Sequence, residues 1–291
     1  MQNRNRALLD GAVLISREIG ANAILLAAAL PREARYLRRA VGSACRVITA
    51  TGAPGGASGV ERDVLSLPEV RLRRRGRAKI ALLEALAAGM LRDGDRVIIL
   101  SGDVSNGCCE LDTLAVVELT GGNDSLDGQP GAAMDSLRHG VDPAAFDALL
   151  GLCVELGHES KAGRRPGLLA TLGDHEAVLA RSHPIVLNPF EGHPEAARSI
   201  LTAAAKRAVR EFAGIDGAFV LRGDGVIAAA GRYLEPMAPV GAVPSGLGTR
   251  HRAAAGITRA TRCVAFVVSE STGDTRVFSG GRVLTTIERT D

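Results

Sequence analysis

A two-domain α/β chain is expected here on three observations. From the start to about Glu118, short apolar runs alternate with helical stretches, the pattern of layered α/β folding. Thr120 to Gly131 (TGGNDSLDGQPG) has turn residues and no periodicity, which marks a boundary. Beyond it, strand and helix signals resume. The 291 residues suffice for two domains of about 100–150 residues each, and divide as 1–130 and 141–291.

In the first domain, expected to be a three-layer α/β unit, Ala23–Ala29 and Arg46–Thr49 read as strands and Pro31–Ala40 between them as a helix. Arg77–Leu91 puts Ile80, Leu83, Leu86, Ala87, Met90 and Leu91 on one helical stripe, with Gly94 just past its end. Arg96–Leu100 and Leu114–Glu118 follow as strands. The second domain opens with a helix near Pro143–Leu156 and a strand, Leu168–Leu172, that stops at Gly173-Asp174. Pro184–Leu187 is a further apolar run. One long helix is expected from Pro194, through Leu201, Ala205, Ala208 and Phe212, to its stop at Gly214. Then come a strand Ala218–Leu221, a turn Gly223-Asp224-Gly225, a strand Val226–Ala230, a loop to Gly248, a helix from Arg250 to about Thr261, a strand Val264–Val268 and a hairpin around Gly280-Gly281.

Composition excludes several function classes. The formal charge is +3, so neither half is a nucleic-acid magnet on charge alone. The longest apolar stretches, such as Ala23–Leu30, fall far short of the roughly 20 residues of a membrane span, and the first residues lack a secretory core. Five cysteines without C-x-x-C spacing argue against a disulfide framework and a zinc ribbon, and a cytoplasmic location is expected. The six histidines include no i,i+4 pair.

The most informative segment is Ser245-Gly246-Leu247-Gly248-Thr249-Arg250-His251-Arg252. Its glycines let backbone approach a ligand, and Thr249 is a good N-cap for the helix that follows. Free N–H groups and the positive dipole end would then sit beside two guanidinium groups and an imidazole, about three positive groups on one turn and suited to phosphate. Cations at a helix N-terminus are electrostatically unfavourable by about 0.3–1 kcal/mol each, so an anion is expected to compensate them. The bland alternative is an ordinary solvated first turn.

Two acidic candidates lie nearby. Asp216 precedes the strand Ala218–Leu221, where its carboxylate could bind a divalent metal or take a proton from a ribose hydroxyl; a plain Asp-Gly turn reads equally well. Ser269 and Glu270 follow the strand ending at Val268, either as ligand-edge residues or as a simple strand exit. Gly223–Ala228 matches G-x-G-x-x-A but runs on into a strand, so it reads as a hairpin turn. The basic run Arg71–Arg77 lacks interleaved aromatics and reads as a solvated loop and helix start.

Asp216-Gly217-Ala218, then Gly248-Thr249-Arg250-His251-Arg252 about thirty residues on, then Val267-Val268-Ser269-Glu270, resemble the DGA and RHR motifs of the diadenylate cyclase domain. The resemblance covers roughly Val141 to Asp291 and includes Gly167–Asp174 and Asn188-Pro189-Phe190. Gly76–Leu119 looks like the pyruvate kinase C-terminal-like domain that precedes the cyclase in archaeal-type members.

The resemblance implies a mixed-sheet α/β cyclase domain that condenses two ATP into cyclic di-AMP and two pyrophosphates. Face-to-face domains of a homo-oligomer would each present a 3′-hydroxyl to the other's α-phosphorus. It implies that Asp216 lies near the attacking hydroxyl and a divalent metal (Mn or Mg), with Glu270 a second metal candidate. Gly217 and Ala218 would let the nucleotide approach closely. Gly248, Thr249, Arg250, His251 and Arg252 would hold phosphates, Arg250 and His251 with catalytic roles, Ser269 would add a contact, and Leu234 would border the adenine.

Two positions depart from the family's pattern, Ser271 where many relatives carry Glu and Ile215 where some carry His. They motivate the alternative of an inactive nucleotide-binding sensor. The first domain shows no catalytic constellation and is expected to regulate or oligomerise the second. Neither a membrane nor a nucleic-acid partner is expected, and DNA scanning is not, since nothing after Thr286 resembles the DNA-binding module of the DNA integrity scanning protein.

Overall fold

In a computed structural model of the chain, the described residues are 3–51, 63–67, 74–92, 94–105, 108–119, 140–159, 166–214, 216–236 and 248–289. The expected boundary at 120–131, Arg71–Arg73, Ile215 and Ser245–Leu247 lie outside them. The chain divides into two units, Met1–Leu126 and Asp127–Asp291.

The first unit contains α1 (Asn3–Glu18), β1 (Ala23–Leu26), α2 (Pro31–Val41), β2 (Arg46–Thr51), β3 (Val64–Ser66), α3 (Arg74–Ala87), β4 (Arg96–Ser105) and β5 (Cys108–Glu118). Its sheet order is β3-β2-β1-β4-β5, parallel throughout except for β5, which pairs antiparallel with β4. Every residue of β1 (AILL) is buried, as befits a central parallel strand covered on both faces. Ile24 and Leu26 point to one side, where Leu9, Ala12 and Val13 of α1 and Ala34, Leu37 and Val41 of α2 meet them. α3 packs on β4 and β3, the third layer.

α1 was not expected, because its buried stripe includes Asn5 and Ser16, which hide the apolar period. The Asn5 side chain accepts from the Leu111 amide at 2.9 Å, so a polar residue there serves the fold. The expected helix Arg77–Leu91 instead ends at Ala87, because Gly89 takes a positive φ of 68° and turns the chain. Leu114–Glu118 proves to be the end of a longer strand that faces Arg96–Leu100 there and meets Gly102 of β4 at Leu111, just past the bulge.

The second unit contains α4 (Pro143–His158), β6 (Leu168–Leu172), α5 (His175–Leu179), β7 (Ser182–Pro184), a 3₁₀ turn (Glu195–Arg198), α6 (Ala203–Phe212), β8 (Ala218–Leu221), β9 (Ile227–Leu234), α7 (Thr249–Ala260), β10 (Val264–Val268), β11 (Thr275–Ser279) and β12 (Arg282–Ile287). Its mixed sheet has the order β12-β11-β10-β6-β8-β9-β7, with β6 and β8 parallel and the other pairs antiparallel. β10 (VAFVV) is wholly buried: Ala265 and Val267 face α7, while Phe266 meets Phe146 of α4 at 5.2 Å between ring centroids.

The single long helix expected from Pro194 to Phe212 is two pieces. Ser199 bridges Val226 and the Ile200 amide donates to Gly225, pulling the chain onto the β8–β9 hairpin. Thr202 then caps α6, its hydroxyl accepting from the Ala205 amide at 3.2 Å. Within the apolar run Pro184–Leu187, Val186 and Leu187 are exposed rather than core. The turns at Gly223–Gly225 and Gly280-Gly281 link β8 to β9 and β11 to β12 as expected. No described helix is long and apolar enough to cross a membrane.

Candidate functional site

Strand register brings the candidate residues to one end of the second sheet. Val268 closes β10 opposite Leu168, the first residue of β6. β8 runs parallel to β6 and Ala218 pairs with Arg232, so β8 starts at this end and β9 finishes there at Leu234. Gly167, Asp216, Leu234 and Ser269-Glu270 therefore all leave the sheet on the same side.

The N-terminus of α7 packs against that end. Gly248, Thr249, Arg250 and His251 face Val267, Val268, Ser269, Glu270 and Ser271 across a cleft of about 440 Å³. Gly248, in extended conformation, is the N-cap, and Thr249 is the first helical residue. This corrects the expected Thr249 cap: Gly248 has no side chain to cap the helix, and among the described residues none accepts from the first-turn N–H groups of Thr249 and Arg250, which can serve a ligand.

Arg250 extends across the cleft and donates from Nη1 to Glu270 Oε2 at 3.1 Å. The Glu270 side chain is 60% exposed, so the pair contributes on the order of 1 kcal/mol or less, weak enough for a phosphate to displace it. The Arg250 guanidinium lies over the Gly167 backbone, where an added Cβ would come within 2.2 Å of Nη1. Gly167 is thus a part of the site that motif reading did not single out, and a glycine directly before an apolar strand was its signal.

His251 is buried and edge-on to Phe278, with 6.2 Å between ring centroids. Its Nε2 accepts from Arg276 Nη1 at 3.1 Å. Burial, then the positive charges of Arg276 and Arg250, push its pKa down to about 4 despite Asp274 nearby. The imidazole is therefore neutral at pH 7, which corrects the expected three-cation turn: the positive charge is guanidinium. Arg252 is exposed one position further along and does not line the cleft.

Ser269 lines the cleft from a braced turn. Its hydroxyl lies 3.1 Å from that of Ser271 and accepts from the Thr272 amide at 3.2 Å. Its carbonyl accepts from the Gly273 amide at 2.8 Å. Gly273, at φ 79°, meets Gly157 of α4, and a Cβ on either would lie within 2.4 Å of the other's carbonyl oxygen. Two facing glycines thus seat the turn on the helix. Ser271 is not an idle departure, since its hydroxyl joins this turn.

The DGA segment is at the same sheet end but does not line the cleft. Asp216 is exposed. Gly217 has φ 105°, and a Cβ there would fall 2.7 Å from the Arg232 amide. The close approach it permits in the folded chain is that of β9. Ala218 and Leu234 are buried in the core with Ala254 and Ala255 of α7. Among the described residues no three His, Cys, Asp or Glu side chains gather to hold a metal ion. Cys45, Cys153 and Cys263 are free and buried thiols.

Two regions of the chain match family models. Residues 157–283 match DAC, described as DisA bacterial checkpoint controller nucleotide-binding, and residues 4–121 match DacZ_P, described as a probable sensor domain. The second description names a sensor and says nothing of pyruvate kinase.

The chain is similar to a diadenylate cyclase of Methanocaldococcus jannaschii, 39% identical over 136 residues, covering 47% of this chain and 43% of that protein. It is likewise similar to a diadenylate cyclase of Haloferax volcanii, 39% identical over 149 residues, covering 51% of this chain and 54% of that protein. The matched region thus spans about half the length of these relatives. Among solved structures, DacA from Staphylococcus aureus gives a TM-score of 0.32 at 23% identity, covering 50% of this chain and 87% of that one.

Proposed function

We propose that residues 141–291 form a diadenylate cyclase domain that condenses two ATP into cyclic di-AMP and two pyrophosphates. The observation that carries this reading is the cleft between the uncapped start of α7 and the end of β10, spanned by the Arg250–Glu270 pair. Its volume falls in the range of about 300–1,000 Å³ usual for small-molecule sites. Similarity to the two archaeal diadenylate cyclases supports the same assignment.

The chain's residues serve such a reaction mainly by positioning and charge, which is what phosphoryl transfer asks of a protein. First-turn N–H groups and Arg250 hold triphosphate oxygens, Glu270 yielding the guanidinium to them. Arg252 adds charge from outside the cleft. Ser269 offers a hydroxyl from its braced turn. The same reading gives the buried Leu234 the support of the base's surroundings from within the core, and gives Asp216, exposed at the same sheet end, the proton of the attacking 3′-hydroxyl.

Each condensation forms one bond from a ribose 3′-oxygen to the facing α-phosphorus and breaks that phosphorus's bond to the β-phosphate bridge. The hydroxyl proton leaves to base or water, and pyrophosphate departs with the electron pair. Because each domain holds one ATP, two domains must face each other, so the working unit is a homo-oligomer.

The residues fit a divalent cation of the Mg²⁺ or Mn²⁺ type in a limited sense. Such ions need one or two carboxylates plus substrate phosphates rather than a full protein cage, and Asp216, with Glu270 as second donor, meets that minimum. When bound, the ion would neutralise developing phosphate charge. The first unit, 1–130, would act as a sensor or oligomerising module, which the description matched by residues 4–121 supports.

Incubating the purified full chain with ATP and either Mg²⁺ or Mn²⁺ should yield a product of the mass of cyclic di-AMP, and Asp216→Asn should abolish it while leaving the fold intact. No product with any metal, in a chain that still binds ATP, would turn the reading into that of a nucleotide sensor. An equally active Asp216→Asn variant would show that the attacking hydroxyl lies elsewhere.

A further inference from the structure

A guanidinium has donors and no acceptor. Arg276 Nη1 lies 3.1 Å from Nε2 of His251, so Nε2 must offer its lone pair and the ring must carry its proton on Nδ1. The arrangement is braced from behind. Arg276 is 18% exposed and pairs through Nη2 with Asp274 Oδ2 at 3.6 Å. Asp274 is itself fixed, accepting from the Thr272 hydroxyl at 2.7 Å and from the Arg289 amide at 3.2 Å. Phe278, two residues on and on the same face of β11, contacts the imidazole edge. Among the described residues the charged groups around the ring are Arg250 on its own helix, Arg276 of β11 and Asp274 just before that strand.

We propose that Arg276 is a positioning residue of the cleft: its hydrogen bond to Nε2 holds His251 as the neutral Nδ1–H form, so that this imidazole gives a hydrogen bond to bound phosphate and takes no proton from the ribose hydroxyl. The donor role rests on the nucleotide reading above; the tautomer does not. A ring held in this form can neither shuttle a proton through Nε2 nor serve as a third cation. The proton of the 3′-hydroxyl is left to Asp216 or water. Arg276 itself sits on a strand face otherwise turned to the apolar core, and it follows the motif residues in sequence without belonging to any of them.

The test uses the full chain labelled with ¹⁵N-histidine and two-bond ¹H–¹⁵N correlation, which distinguishes the two neutral tautomers and the imidazolium. The His251 signals are assigned by their loss in His251→Gln or, should that variant not fold, by correlation to the backbone. The parent chain is expected to show the Nδ1–H pattern unchanged between pH 8 and 6. An Nε2–H pattern, or a ring titrating in the ordinary histidine range, overturns the proposal.

Arg276→Gln can donate or accept and should give a mixed pattern, whereas Arg276→Lys, again donor-only, should restore the parent's. The same pattern in all three chains overturns the role of Arg276. Adding ATP should move the His251 ring signals together with the amides of Thr249 and Arg250. Amides that move while the ring stays still overturn the donor role. If no signal moves, the nucleotide reading fails while the tautomer result stands. In the cyclisation assay Arg276→Gln should raise the KM for ATP about fivefold, the worth of one oriented hydrogen bond, with kcat within about twofold.

Discussion

His251 and Gly217 show how a motif residue's task depends on what packs behind it. The ordinary imidazole pKa of 6.5 falls to about 4 once burial and two guanidinium groups act on it. The unfolded chain therefore binds a proton that the folded chain refuses between those values, so stability rises with pH across that window and is lost as pH falls from about 6.5 to about 4. Urea unfolding measured across this range should show that slope, and His251→Gln should flatten it. At Gly217 the φ of 105° and the 2.7 Å approach to Arg232 forbid a side chain. Gly217→Ala should lose about 2–4 kcal/mol on denaturation, several times the usual surface substitution. A neutral result would mean that the β8–β9 register relaxes at little cost.

At the level of helices and turns, the site depends on elements that carry none of its chemistry. The Ser269–Asp274 turn is held by Gly157 of α4 facing Gly273. Gly157→Ala should push the turn away from the helix and weaken ATP binding, read by titration calorimetry, even where the mutant remains folded. A folded mutant with unchanged affinity would free the turn from that dependence. Helix α6 starts at Thr202 rather than at Pro194, and Thr202→Ala removes the cap from the Ala205 amide. The expected loss is about 1 kcal/mol of stability with no change at the cleft. α6 is also tied to α4 by Arg210, which pairs with Glu155 and, at 3.2 Å, with Glu159.

Taken as two units, the chain keeps every proposed site residue within Asp127–Asp291. β10 antiparallel to β6, and β6 parallel to β8, place the end of one strand and the starts of two others side by side. Residues far apart in sequence thereby share one sheet end of the second unit. Deleting residues 1–130 should accordingly leave ATP affinity at the cleft intact while altering assembly or the response to effectors, measured by light scattering and by activity titrations. A truncated chain matching the full one in every respect would remove any regulatory role for the first unit.

Much of this was legible in the residue order because it rests on local chemistry. The continuous apolar runs of β1, β6, β8 and β10, the turn at Gly223–Gly225, the hairpin at Gly280-Gly281 and the glycine-led start of α7 declare themselves through periodicity and backbone freedom. The groups Asp216, Arg250 and Ser269 were legible as residue types suited to phosphate and metal. What could not be read depends on partners distant in the chain. Asn5 makes α1 a buried helix through the Leu111 amide, Val226 breaks the helix expected from Pro194, Gly167 makes room for Arg250, and burial, with Arg276 and Arg250 beside the ring, removes the charge expected on His251. Local sequence sets which backbone and which functional groups are on offer. Burial and hydrogen bonding across the sheet decide their protonation and their direction, because those energies exist only once remote strands are packed together.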